Sequence, residues 1–189
     1  MKEILLHSCC APCSSAIIEW MMANAVKPII FYCNPNIYPE TEYLIRKNEI
    51  TNYAHKLGLT IIDDDYDHES WKKKIDEKSI QMRIDLEKEP ERGRRCLECF
   101  KIRLLKSAIK CKELGLEEFT TTLASSRWKS LTQITEAGHW AAAKVSNVRF
   151  DDRNWRKGGL QERRNQLLRE NNFYNQVYCG CEYSIRSKS

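Results

Sequence analysis

Residues 3–35 read EILLHSCCAPCSSAIIEWMMANAVKPIIFYCNP, and this stretch decides the fold. The apolar run EILLH (3–7) predicts a buried strand, and SSAIIEWMMANA (14–25) predicts a helix whose N-cap is one of its two opening serines. KPIIFYCNP (27–35) predicts a second strand that ends at turn-forming residues. A strand, a helix and a strand in so short a stretch indicate a parallel βαβ unit.

The chain downstream repeats this alternation once and then becomes mainly helical. ETEYLIRKNEITNYAHKLG (40–58) predicts a helix closed by a glycine, and LTIIDDDYD (59–67) predicts a third strand that ends in acids. CLECFKIRLLKSAIKCKELG (96–115) predicts an amphipathic helix, with Cys111 on its apolar stripe. EFTTTLASS (118–126) predicts a fourth strand and a loop.

The order of these elements predicts the domain organisation. We expect a single domain over residues 1–189, of the α/β class, with a Rossmann-like parallel sheet and a helical C-terminal part. Residues 1–67 are expected to form an α/β half with the first cysteine cluster, and residues 68–189 a largely helical half that completes the metal site. Ligands of open parallel sheets bind at the carboxyl ends of the strands, which is where this cluster falls.

Composition narrows the class of protein. The chain has 42% hydrophobic residues and a net charge of +5, which permits a real core and is weak evidence for a polyanionic partner. No signal-peptide pattern and no apolar run of about 20 residues is visible, so we expect a cytoplasmic protein with no membrane partner. Thiols stay reduced there, and nine cysteines therefore indicate metal binding or redox chemistry rather than a disulfide framework.

Seven of the nine cysteines are grouped. The groups are, in chain order, Cys9, Cys10 and Cys13 after the first strand, the C-x-x-C pair Cys96 and Cys99 at a helix start, and the C-x-C pair Cys179 and Cys181. A C-x-x-C pair places two sulfurs on one face of a turn, as a metal ion or an iron–sulfur cluster requires. The C-x-C pair can cycle between a dithiol and a strained disulfide, or can bind a metal. Spacing alone leaves zinc, and a metal-free thiol–disulfide oxidoreductase, as alternatives.

Several motifs recur together in a known family. They are HSCCAPC (7–13), YDHESW (66–71), GRRCLECFKIRL (93–104), FTTTLASSRWK (119–129), FDDRNWRKGG (150–159) and VYCGCEYS (177–184). In this order they resemble the epoxyqueuosine reductase QueH family over residues 7–184. The resemblance implies an adenine-nucleotide hydrolase-like fold and the two-electron reduction of epoxyqueuosine at the tRNA wobble position to queuosine. That reaction is the last step of queuosine biosynthesis, and the resemblance implies that it proceeds without cobalamin.

The same resemblance implies roles for the grouped cysteines. It implies a [4Fe-4S] cluster, with Cys9, Cys10, Cys96 and Cys99 as its ligands. Cys13 is then a candidate ligand of a second iron. The remaining pair, Cys179 and Cys181, matches the family's redox-active pair.

Proton donors and an RNA surface complete the sequence expectations. Removal of an epoxide oxygen as water needs two protons, and Asp64 and Asp152 are candidate donors. The residues expected to contact tRNA combine cations with an aromatic ring, namely Arg153, Trp155, Arg156 and Lys157. A low-potential electron donor is also required, and the sequence does not identify it.

Overall fold

A computed structural model describes residues 1–185, and these form a parallel sheet flanked by helices. The strands are β1 (Lys2–Ser8), β2 (Val26–Tyr32), β3 (Ile61–Asp63), β4 (Glu118–Thr121) and β5 (Arg149–Phe150). The helices are α1 (Ala11–Ala23), α2 (Glu40–Lys56), α3 (His68–Met82), α4 (Arg94–Glu113), α5 (Leu131–Ala143) and α6 (Leu160–Glu170). Short 3₁₀ turns span Thr122–Ser125 and Glu182–Ser184.

The sheet has the order β3-β2-β1-β4-β5, and every neighbouring pair is parallel. This confirms the predicted α/β class. The central strand β1 is buried from Ile4 to Ser8, and its Leu5 and Leu6 are fully buried. The chain runs outward from β1 to β3 and then returns to the other side of β1 with β4. The crevice between the ends of β1 and β4 is therefore the switch point at which open α/β sheets bind ligands.

Helix α1 begins at Ala11, three residues before the predicted serines. Cys10 is its N-cap and Pro12 occupies the first turn, where a fixed φ is compatible with a helix and a missing N–H costs nothing. The Ser14 hydroxyl donates to the Cys10 carbonyl oxygen at 2.7 Å, so it lies inside the helix instead of capping it. As a result, Cys13 sits in the first helical turn, directly beyond β1.

Helix α4 brings the second cysteine pair to the same end of the sheet. Its apolar stripe is buried and includes Leu104 and Cys111, which confirms that Cys111 belongs to the core. The buried Arg103 donates to the Asn34 side-chain oxygen at 2.5 Å and to the Cys33 carbonyl at 3.4 Å. These bonds tie the N-terminal half of α4 to the end of β2. None of the helices within residues 1–185 is long and apolar enough to cross a bilayer.

Candidate active site

A cavity of about 700 Å³ opens at the carboxyl end of the sheet. The cysteines in its lining are Cys9, Cys13, Cys96, Cys179 and Cys181. All three cysteine groups of the sequence therefore contribute to one cavity.

The first group is compact and buried. The sulfur atoms of Cys9, Cys10 and Cys13 lie within 4.8 Å of one another, and the Cys9 and Cys10 sulfurs are 3.8 Å apart. The Gln176 side-chain amide donates to the Cys10 sulfur at 2.9 Å, and the Thr122 hydroxyl donates to the Cys9 sulfur at 3.4 Å. Hydrogen bonds from the Cys10 and Cys13 thiols lower the pKa of Cys9, whereas burial raises the pKa of Cys10. The group thus favours one thiolate among three sulfurs, and a thiolate is the form that binds metal.

The second and third groups share one environment. Cys99 and Cys181 belong to a small buried cluster with Trp71 and Ile75. Burial raises the pKa of Cys99 to about 11 and that of Cys181 to about 12, and in both cases the charge of Cys179 adds to the increase. These three cysteines, together with Cys96, therefore form a second thiol region beside the first.

The predicted ligands of a four-iron cluster come from both regions. Within residues 1–185, Cys9, Cys10 and Cys13 are the one set of three metal-binding side chains whose ligand atoms lie close enough for a single ion. Cys96 and Cys99 belong to α4, and Cys96 lines another part of the cavity while Cys99 is buried behind it. A cluster of four irons is larger than one ion, so its ligands can come from both regions. Iron–sulfur clusters are held by cysteine thiolates, and the cysteines of both regions are mostly buried, which suits iron–sulfur ligation.

A segment near the C-terminal end, here called the strap (residues 174–181), covers one side of the cavity. The buried Arg46 donates to the carbonyl oxygens of Cys179 and Tyr178 at 3.1 and 3.2 Å. The guanidinium is itself paired with Glu42, whose carboxylate accepts from Arg46 Nε at 2.7 Å. Arg46 therefore fixes the backbone that carries the C-x-C pair.

Gly180 lets the strap approach this arginine. Its φ of +121° lies in the region that favours glycine. A Cβ at this position would lie 3.0 Å from Ile37 Cγ1 and 3.1 Å from Arg46 Nη1. The middle residue of the C-x-C pair must therefore be glycine for the strap to pack as it does.

The cavity lining is strongly basic. Its cationic side chains are Arg46, Arg92, Arg95, Arg103, Arg127, Lys129, Arg156 and Arg164, and its acids are Glu91 and Glu162. Burial lowers the pKa of Lys129, but the nearby sulfur groups of Cys179, Cys9 and Cys13 raise it by more. Lys129 thus remains an ammonium group beside these sulfurs. The cavity is suited to an anionic ligand.

Comparisons with known proteins identify the family of this chain. The sequence model of the epoxyqueuosine reductase QueH family matches residues 4–187. The chain is 45% identical to the epoxyqueuosine reductase QueH of Histophilus somni over 185 residues, which cover 98% of this chain and 73% of that protein. It is 43% identical to the Haemophilus influenzae QueH over 188 residues (100% and 74%) and 40% identical to the Acinetobacter baylyi QueH over 184 residues (97% and 81%). The chain belongs to the epoxyqueuosine reductase QueH family. The expectation of an oxidoreductase is confirmed at this level.

In this QueH family member, the four residues predicted to contact tRNA lie in different environments. Arg156 lines the cavity, whereas Arg153 and Lys157 are exposed outside its lining. Trp155 is 1% exposed, its Nε1 donates to the Thr120 hydroxyl at 3.2 Å, and its ring packs edge-on against Trp20. The prediction that the Trp155 ring contacts tRNA is wrong, because the ring is part of the core.

The two predicted proton donors also lie away from the cavity. Asp64 accepts from Lys106 at 2.6 Å and from the Cys33 thiol at 3.3 Å. Asp152 is exposed and pairs with His139 at 3.1 Å. Neither carboxylate belongs to the cavity lining found within residues 1–185. Both acids follow strands at the expected edge, but they face other partners.

Sequence reasoning missed two residues that shape this QueH site. Arg46 stands in a helix that is otherwise rich in solvated charges, and nothing in the local pattern marks it as buried. Gln176 lies in a polar stretch and contacts the first cysteine group from the strap. Both act through contacts with residues more than a hundred positions away, which local patterns do not show.

Proposed function

We propose that this QueH family member reduces epoxyqueuosine at the wobble position of tRNA to queuosine in the cytoplasm, the last step of queuosine biosynthesis. Two electrons and two protons enter, both epoxide C–O bonds break, a carbon–carbon double bond forms, and the oxygen leaves as water. The observation that carries this proposal is the convergence of three cysteine groups on one cation-lined cavity. A reductive site for an anionic polymer needs both features.

We further propose that Cys9, Cys10, Cys96 and Cys99 hold a [4Fe-4S] cluster, that Cys13 contributes to a second iron, and that cobalamin takes no part. The cluster, when bound, supplies single electrons, and a second iron supplies a Lewis acid. The chain's own contribution is to keep these sulfurs buried and to supply hydrogen bonds to them. Gln176 and Thr122 donate to the first group, and such donors tune the potential of sulfur-ligated centres.

The C-x-C pair can balance the electron count. Oxidation of the Cys179 and Cys181 thiols to a disulfide releases two electrons and two protons, which is what the epoxide requires. Cys179 is half-buried and Cys181 is buried, and both are free thiols in the structure. A low-potential electron donor must then return the disulfide to the dithiol. The strap holds the pair against the cavity through Arg46.

Substrate binding and protonation follow from the lining. The guanidinium groups around the mouth can pair with anticodon-loop phosphates, and the volume admits a nucleoside turned out of its stack. Unstacking costs only a few kcal/mol in a single-stranded loop. The two protons can come from the Cys179 and Cys181 thiols, and Lys129, an ammonium group in the cavity lining, can donate a hydrogen bond to the epoxide oxygen.

The test is metal analysis joined to an activity assay. Anaerobically purified protein is expected to be brown and to contain about four or five irons and about four sulfides. It is expected to convert epoxyqueuosine to queuosine in tRNA when a strong chemical reductant is present. Cys99→Ser should lose iron and activity together, whereas Cys111→Ser, on a core cysteine far along α4, should keep both. A protein with full iron content but no conversion of the tRNA would contradict the proposal.

One observation favours a second candidate, a zinc-binding RNA module. Two sulfur ligands of a tetrahedral zinc ion lie about 3.8 Å apart, given Zn–S bonds of about 2.3 Å. The Cys9 and Cys10 sulfurs have this separation, 3.8 Å. The zinc candidate predicts a colourless protein with stoichiometric zinc that reconstitution with iron and sulfide does not change.

A further inference from the structure

The loop that borders the cavity, here called the rim loop (residues 126–129), is held by its backbone. Each of its four carbonyl oxygens accepts a hydrogen bond from one of two arginines. Arg156 donates to the carbonyls of Ser126 at 2.5 Å and Lys129 at 2.9 Å, and Arg92 donates to those of Trp128 at 2.9 Å and Arg127 at 3.2 Å. These arginines come from distant parts of the chain. The rim loop is therefore fixed before any ligand arrives.

Trp128 projects from this fixed loop into solvent. Its side chain lines the cavity and yet is 67% exposed, whereas Trp155 is 1% exposed. Val177 of the strap also lines the cavity and is 91% exposed. The Arg127 guanidinium lies over one face of the Trp128 ring, 5.0 Å from its centroid, and leaves the opposite face uncovered by this cation. A large apolar ring on a preorganised loop, surrounded by cations, is the arrangement that stacks on nucleic-acid bases.

The proposed reaction creates a need for such a ring. When the target base turns out of the anticodon loop, it no longer stacks on the neighbouring base. One face of that neighbouring base is then left without a stacking partner. Base–aromatic stacking is sequence-tolerant and replaces part of the lost contact. Arg127 and Arg164, which line the same cavity, are placed to neutralise the adjoining phosphates.

We propose that Trp128 is the stacking platform for a nucleotide next to the wobble position, and that it sets how the anticodon loop enters the cavity. This inference rests on the proposed function. The rim loop thus performs the role that the sequence had suggested for Trp155. Its partner is an unpaired purine or pyrimidine of the loop, held by its face, and therefore with little preference for base identity.

The test measures binding of an anticodon stem-loop RNA that carries epoxyqueuosine at the wobble position and a fluorescent purine analogue beside it. Anaerobically purified wild type is expected to quench the analogue on binding. Trp128→Ala should weaken binding by about fivefold or more, the lower limit for loss of one stacked base, and should abolish the quenching. Trp128→Phe should restore most of both. Trp140→Ala is the matched control, because that tryptophan is also partly exposed but is outside the cavity lining.

The results for wild type and for Trp128→Ala together distinguish failure of the stacking inference from failure of the proposed function. If wild type reduces the RNA and Trp128→Ala binds and quenches as wild type does, the stacking inference fails and the proposed function stands. If wild type neither binds nor reduces the RNA, both fail. Equal melting temperatures of wild type and Trp128→Ala are expected, because the side chain is exposed, and would show that a loss of binding is not a loss of folding. If Trp128→Phe were as weak as Trp128→Ala, stacking would not be the reason for the effect.

Discussion

Replacement of Gly180 by alanine tests whether the strap depends on its close approach to Arg46. A non-glycine residue in a sparsely populated backbone region costs about 1–3 kcal/mol. The new methyl group would also lie 3.0 Å from Ile37 and 3.1 Å from Arg46, and such overpacking costs about 1–3 kcal/mol. Together these terms predict a loss of about 2–6 kcal/mol in the free energy of unfolding.

Gly158→Ala is the matched control for backbone strain alone. Gly158 has a φ of +67°, and a Cβ there would meet no atom within 4 Å. Its expected cost is about 1–2 kcal/mol, the usual cost of a left-handed residue. The difference between the two variants therefore reports mainly the contact with Ile37 and Arg46, with a smaller part from the less favourable φ of Gly180.

Two measurements on the anaerobically purified proteins check this prediction. Urea denaturation gives the free energy of unfolding, and thiol labelling followed by mass spectrometry gives the accessibility of Cys179 and Cys181. If the strap detaches without global unfolding, the stability loss is limited to the cost of that opening, and labelling increases instead. The reasoning is refuted if Gly180→Ala matches Gly158→Ala in stability and matches wild type in labelling.

Four further predictions concern the core, the acids and the pH response. Arg46→Met should cost about 3–5 kcal/mol, because it leaves the Glu42 carboxylate buried without its cation, and the double variant with Glu42→Gln should recover part of that loss in urea denaturation. Trp155→Ala should cost about 3–5 kcal/mol in the same assay, as expected for an aromatic ring removed from a core. Asp152→Asn should change the rate of epoxyqueuosine reduction by less than about twofold, whereas loss of a true general acid costs about 10²–10⁴-fold. Burial lowers the pKa of His7 from 6.5 to about 3, so between these pH values the folded protein binds fewer protons than the unfolded chain. The free energy of unfolding is therefore highest above about pH 6.5 and falls by up to about 1.4 kcal/mol per pH unit as the pH decreases toward 3. His7→Gln should reduce that slope in denaturation curves measured across this range.

The sheet could be predicted because its signal is local. The apolar runs that became β1 and β2 are continuous and bounded by turn residues, which suits strands buried on both faces. The start of α1 was misplaced because serine at an N-cap is an average preference. Here Pro12 begins the helix earlier, and the Ser14 hydroxyl bonds to a carbonyl within the first turn.

Only those parts of the candidate site whose chemistry follows from the type of amino acid could be predicted from the sequence. Grouped cysteines indicate a metal or redox centre whatever their surroundings. Trp155 shows the limit: its neighbours in the sequence are basic and polar, yet its ring is buried by Trp20 and Thr120 from other elements. Arg46 shows the same limit for a charged residue: it lies in a polar helix, yet its side chain is buried because it contacts the strap. Burial of this kind is decided by long-range packing, which local sequence does not contain.

The strap has a consequence for how the protein matures. Cys9 and Cys99 leave the ribosome before Cys179, because about eighty residues separate the last two, and at about 5–20 residues per second that interval lasts about 4–16 s. During this time the wall formed by the strap does not yet exist, and the earlier thiols face an unfinished cavity. Delivery of the proposed cluster therefore meets one wall fewer while the chain is being synthesised. After Arg46 binds the strap, the opening proposed for the RNA is also the route by which a metal would enter.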